Sequence, residues 1–253
     1  MDKKVKMMKV LRNLLLVGLV IALTFPVGAV DHSVVVVAST SWTGAMARAA
    51  GARDVRILAP VELKHPAEYD FRPSDLQRLI SADYLVWAGY EPFVKLVLEA
   101  TGFPATQTLQ VMTENTPTNL MAEVTRMGKI FGTEAAAKEW VNRCSNLAAT
   151  MQAAAAEEGV KDYRVVVQYH QAAFVRWLGF NVIGVIASEE LTPAQIKDLA
   201  GLAPDFIIDN YHSPQGQSVA QVARVPRIEL YNFPLQPEGD LLDLMAENWN
   251  ALQ

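Results

Sequence analysis

The chain has 253 residues, 51% of them apolar and 19% charged, which suits one large domain or two small ones with proper cores. The formal net charge of −5, from 22 Lys plus Arg against 27 Asp plus Glu, argues against nucleic acid as a partner. Cys144 is the one cysteine, so an intrachain disulfide is excluded, and its apolar helical surroundings predict a buried, inert thiol.

Residues 1–29 open with a basic lead (Lys3, Lys4, Lys6, Lys9, Arg12), continue as an apolar run from Leu14 to Leu23 and end on the small residues Val27-Gly28-Ala29. That order predicts a secretory signal peptide cleaved near Ala29 and a periplasmic protein. The run is short for a bilayer span and Pro26 interrupts its end; no cysteine follows it to carry a lipid anchor. Residues 1–29 hold five basic residues and one acidic one, so the remainder has 17 Lys plus Arg against 26 Asp plus Glu, a net charge of −9. His32, just beyond the cleavage point, reads as a terminal residue without a role.

Seven short apolar or β-branched runs follow, each with a turn and in most cases a helical pattern behind it. Three lie in the first half, at Val34–Ser39, Val55–Pro60 and Asp83–Gly89. Four lie in the second, at Tyr163–His170, Val182–Ala187, Asp205–Asn210 and Arg227–Asn232. They lack clean alternation, which predicts strands buried on both faces in parallel α/β sheets. Between the two sets, Thr133–Glu158 is rich in Ala, has neither Gly nor Pro and is followed by Gly159 as a stop, so one long helix is expected there. The predicted architecture is two parallel-sheet α/β lobes, residues 30–117 and 160–253, bridged by a rigid helical segment over residues 118–159.

In parallel α/β sheets, ligands bind beyond the carboxyl ends of the strands. His65 follows the second run, His170 ends the fourth, and Asp209 and His212 close or follow the sixth. Neutral imidazoles suit zinc and other borderline ions, and a carboxylate can complete the shell. Each histidine alone reads better as a hydrogen-bonded loop residue; their common position at strand ends is what makes metal binding competitive. No H-E-x-x-H, C-x-x-C, G-x-S-x-G, phosphate-loop or G-x-G-x-x-G pattern nominates a catalytic group. Ser74 and Asp75, in RPSDLQRL, are expected to cap a helix start.

The segments HPAEYDFRPSDLQRLISADYLVWAGYEPFVKLVLEA, YHQAAFVRWLGFNVIGV and LTPAQIKDLAGLAPDFIIDN resemble the solute-binding proteins of zinc and manganese ABC importers. The resemblance spans nearly all of the chain beyond residue 29. It implies two α/β lobes bridged by a long helix, a metal in the cleft between them and delivery to an ABC permease. His65 matches the family's first ligand, with Pro66-Ala67 as added residues ahead of Tyr69, and His170 matches the histidine that opens the first loop of the second lobe. Two positions depart: VMTENTPTNLMAEV lacks the family's other first-lobe histidine, and Asn232 in LYNFP stands near the family's late aspartate. Asp209 lies close to a carboxylate position that some members use.

These departures lead to a rebuilt shell of His65, His170 and His212, completed by Asp209 or water, in a monomeric binding protein. Its nitrogen-rich donors favour zinc over manganese. Two alternatives stand beside this reading. One is an exported zinc hydrolase with a water in the open coordination position. The other is a binding protein of the same fold for a chelated or organic solute, with Tyr211, Tyr231, Trp42 and Trp87 as candidate pocket residues.

Overall fold

The computed structural model describes residues 33–63 and 65–253; the expected signal peptide and His32 lie outside them. Two four-stranded sheets form the frame. The first comprises β1 (Val35–Ala38), β2 (Asp54–Ile57), β3 (Tyr84–Trp87) and β4 (Thr108–Gln110), in the order β2-β1-β3-β4. The second comprises β5 (Arg164–Gln168), β6 (Asn181–Ile186), β7 (Phe206–Asn210) and β8 (Arg227–Leu230), in the order β6-β5-β7-β8. Every pairing is parallel, and the two orders are the same topology used twice. All seven expected strands are present. The eighth, β4, is a three-residue edge strand in which only Leu109 is buried, too short and polar to stand out as a run.

The unbroken apolar runs follow from burial on both faces. Successive side chains point to opposite sides of a strand, and here both sides are covered. Val36 and Val86 enter a core shared by the whole body, while their neighbours Val37 and Leu85 enter a second core. That second core is closed by α2 (Pro73–Ile80) and α3 (Pro92–Thr101), through Leu79, Phe93 and Val97. The other sheet repeats the arrangement. Val165, Val167 and Ile208 join the shared core, and Val166 and Ile207 face a third, beneath α7 (Pro193–Gly201) and α8 (Gly216–Ala223).

The bridge is a pair of helices. The expected long helix is α5 (Glu134–Glu157), about 36 Å long at 1.5 Å per residue. Gly159 follows its cap in the left-handed region at φ 67°, which suits the expected stop. Ahead of it, α4 (Pro117–Phe131) packs along α5, and both contribute to the shared core through Leu120, Val124, Met127, Trp140, Cys144 and Met151. Chain order and packing part company at the end of the chain. The last helix, α9 (Leu241–Leu252), was expected within the second lobe; it packs on β8 and also on α5 and on α1 (Ser41–Ala49). Leu241, Leu244 and Trp249 supply the apolar face that pulls it there.

A candidate metal centre in the cleft between the sheets

In both sheets the strand order reverses beside the first strand, so the crevices lie beyond the carboxyl ends of β1 and β3 and of β5 and β7. These ends face a common cleft of about 860 Å³. From the first lobe come Thr40 and Trp42 after β1, His65 after β2, Tyr90 after β3 and Met112 after β4. From the second come His170 after β5, Ser188 after β6, Asn210 and His212 at the end of β7, and Asn232 and Phe233 after β8.

The structure brings together the three described histidines: His65, His170 and His212 all line this cleft. Their settings differ. His65 is exposed and precedes the short 3-10 turn Pro66–Glu68, to which its side chain makes no capping bond. His170 lies in the 3-10 turn Tyr169–Gln171, held by its backbone N–H donating to the Gln168 side chain at 2.8 Å. Desolvation in the cleft lowers its pKa below the ordinary histidine value, although the residue keeps an open face to solvent. His212 is buried, its ring stacked on Phe233 with centroids 3.7 Å apart and its backbone N–H donating to Asn210 Oδ1. Tyr90, at the mouth, has its phenol pushed up to about 12 by desolvation and by Glu91, so it keeps its proton at neutral pH. The three imidazoles do not form a closed shell: among the described residues, no three His, Cys, Asp or Glu side chains stand close enough to hold one ion.

Asp209 departs from its expected role. It is fully buried and does not line the cleft. Arg227 Nη1 donates to its Oδ2 at 2.7 Å, the Gly216 N–H to the same oxygen at 3.0 Å, and the Asn210 N–H to Oδ1 at 2.9 Å. The carboxylate thus ties β8 and the start of α8 to the end of β7. Gly216 is required for this approach, since a Cβ there would stand 2.7 Å from Asp209 Cγ. It is the following residue, Asn210, that faces the cleft, as the alternation along a strand dictates.

Other expectations are also redistributed. Asp75 takes its helix-start role from the N3 position of α2, accepting the Arg72 N–H at 2.8 Å and the Tyr69 hydroxyl at 2.9 Å; no such bond is made by Ser74. Trp42, a candidate pocket residue, sits in the first turn of α1 and does line the cleft. Trp87 packs on the second core. Tyr211 and Tyr231 pack on each other, with centroids 5.0 Å apart, and do not line the cleft. The sequence reading missed Arg176, Asn210, Tyr169 and Phe233 as cleft residues. Tyr169, Asn210 and Phe233 follow or end strands, so the strand-end argument would have found them.

No family model matches the sequence, and neither does any curated protein. Solved structures do match in three dimensions. The SBP FpvC of Pseudomonas aeruginosa in complex with Ni²⁺ superposes with a TM-score of 0.68 at 17% identity, over 86% of this chain and 94% of that one. The fold is that of metal-binding solute-binding proteins. Two further examples agree. The Cd-bound periplasmic metal binding protein of Candidatus Liberibacter asiaticus gives a TM-score of 0.64 at 15% identity, over 87% of this chain and 98% of that one. The metal-dependent lipoprotein YcdH of Bacillus subtilis gives 0.65 at 15% identity, over 87% and 97%. At these identities the likeness is one of fold, and the cleft residues must speak for the ligand.

Proposed function

We propose that this protein is a monomeric solute-binding protein that captures a divalent metal ion, zinc before manganese, in the cleft between its lobes and delivers it to an ABC permease. One observation carries the reading: every described histidine, from three separate strand ends in two sheets, lines the same cleft. Chance placement of loop histidines gives no reason for that convergence. His65, His170 and His212 would serve as neutral imidazole donors, with water or an oxygen donor completing the shell. Asp209 is left out of it, because its carboxylate is already taken by Arg227 and two backbone N–H groups.

The lowered pKa of His170 suits the task, since a ligand must be deprotonated to bind metal. Bringing the exposed His65 toward His170 and His212 would complete the shell on binding. The leader-like residues 1–29 support export to the periplasm, where such a protein would meet its permease. Among the described residues no helix is long and apolar enough to cross a membrane.

The test is metal content. The purified protein is stripped with chelator and offered zinc, manganese, copper and nickel in competition, and bound metal is read by elemental analysis. One zinc per chain, weakened in each of His65→Ala, His170→Ala and His212→Ala, is the expected result. No bound metal in any condition would end the proposal.

A further inference from the structure

We infer that the metal enters this cleft together with a small organic anion, whose oxygens are held by Trp42, Asn210 and Arg176. The inference rests on the metal reading above and names the form in which the metal arrives.

Four observations carry it. The first is size: at about 860 Å³, the cleft falls in the range of pockets that take organic ligands, roughly 300–1,000 Å³, whereas a bare ion needs the space of one atom. The second is the set of buried hydrogen-bond donors. Trp42 Nε1 and Asn210 Nδ2 belong to cleft-lining residues at least nine-tenths buried, and neither has a hydrogen-bond partner among the described residues. Buried donors are almost always satisfied. An indole N–H is a donor only and an amide NH₂ is donor only at nitrogen, so neither atom can coordinate a cation. Both call for an acceptor oxygen.

The third is charge. Arg176, in the short helix α6 (Ala172–Leu178) behind His170, lines the cleft and forms no ion pair with a described residue. A guanidinium opposes a bare cation, and it matches a carboxylate with a two-pronged fork. The first lobe presents the opposite sign, with Glu68 and Glu114 exposed on the same cleft. A metal complexed by a carboxylate-bearing anion has both signs, cationic at the metal and anionic at its free oxygens.

The fourth is the incomplete shell. Three imidazoles are offered without the carboxylate that the sequence suggested, so the remaining coordination positions are open to oxygens brought by the ligand itself. Apolar surface at the mouth fits the carbon skeleton of such a ligand: Tyr90, Met112 and Tyr169 are all exposed there.

Equilibrium dialysis with zinc and radiolabelled citrate, reading both zinc and citrate on the protein, tests the inference. The expected result is one zinc and one citrate per chain, with citrate retained only when zinc is present. Arg176→Gln and Trp42→Phe, which remove a charge and a single N–H while keeping most of each side chain, are expected to weaken citrate retention tenfold or more. Their circular dichroism should match that of the parent. Zinc bound without citrate would overturn this inference and leave the metal reading standing. So would citrate retention unchanged in both variants. Citrate held equally with and without zinc would likewise overturn this inference alone, and neither one bound would overturn both.

Discussion

Replacing Asp209 by asparagine separates a structural carboxylate from a metal ligand. The parent oxygens accept three bonds, from Arg227, Gly216 and Asn210. An amide in the same volume has one acceptor end, so whichever way it turns, an NH₂ meets at least one of these buried donors. A buried donor left unsatisfied costs about 1–3 kcal/mol. The lost ion pair adds less than its short distance suggests. The Arg227 side chain is 24% exposed and keeps Glu229 at 2.9 Å, so solvent and the second carboxylate both cushion the loss. A total of about 2–3 kcal/mol follows, read as a lower urea midpoint at constant slope. For a chain of this size that corresponds to a fall in Tm of about 4–12 °C. Zinc affinity, measured by competition with a chromophoric chelator, should stay within about twofold. A true ligand behaves the other way, since even the partners behind metal ligands are worth ~10–100-fold in affinity. An Asp209→Asn protein with unchanged urea midpoint and zinc affinity reduced ~100-fold would refute the structural role and restore the ligand role.

Further outcomes follow from the same geometry. Gly216→Ala drives a Cβ to 2.7 Å from Asp209 Cγ and should destabilise the chain by about 1–3 kcal/mol in the same urea assay, again without loss of metal. The desolvation that lowers His170 means the unfolded chain binds its proton first as pH falls; stability linked to this residue is therefore present above the ordinary histidine value and is lost as pH falls through the folded one. Metal-free protein should accordingly have a lower Tm at pH 5 than at pH 7, and His170→Gln should narrow the difference. Cys144 is fully buried, its thiol pushed up to about 11 by burial and by Asp240, so it should resist iodoacetamide at pH 8 in the folded protein and react once urea unfolds the chain.

The fold was readable because its signals are local. Strands buried on both faces write themselves as apolar runs, and α5 writes itself as 24 residues without Gly or Pro. β4 and the path of α9 were not, for different reasons. β4 owes its place to pairing with Trp87 and Leu85, and Thr108–Gln110 carries no periodicity of its own. The apolar face of α9 is plain in sequence, but which surface it covers depends on the approach of α1 and α5, which are distant from it along the chain. The site divided in the same manner. Strand ends could be located, so the three histidines that line the cleft could be picked out as candidates. The turn of Asp209 away from the cleft, and of Asn210 into it, depends on a one-residue register that neither residue's chemistry discloses. Arg227 shows the same limit: nothing in the run Arg227–Asn232 pairs it with Asp209, because that partner lies on a different strand.

That geometry also decides what can move when the histidines converge. The two lobes are tied to each other by hydrogen bonds. Asn115 Nδ2 donates to the Asn232 carbonyl at 2.6 Å, Ser41 Oγ to the Pro234 carbonyl at 3.0 Å, and Arg48 to the Gly239 carbonyl at 3.3 Å, over a core shared by both sheets. Swinging one lobe against the other would break these bonds and open that core, so His170 and His212 are held in place. His65 differs: it is exposed, at the start of a turn whose far end is anchored by Tyr69, bonded to Asp75 and packed edge-on against Phe93 at 5.4 Å. If zinc draws the three histidines together, closure would fall to the turn His65–Glu68, pivoting on Tyr69. Hydrogen exchange should show protection gained there on adding zinc, with the amides of β5, β7 and α5 unchanged, and X-ray scattering should show the same radius of gyration with and without metal. A contraction of the whole particle on binding would contradict this reading, because it would have to break those three cross-lobe bonds.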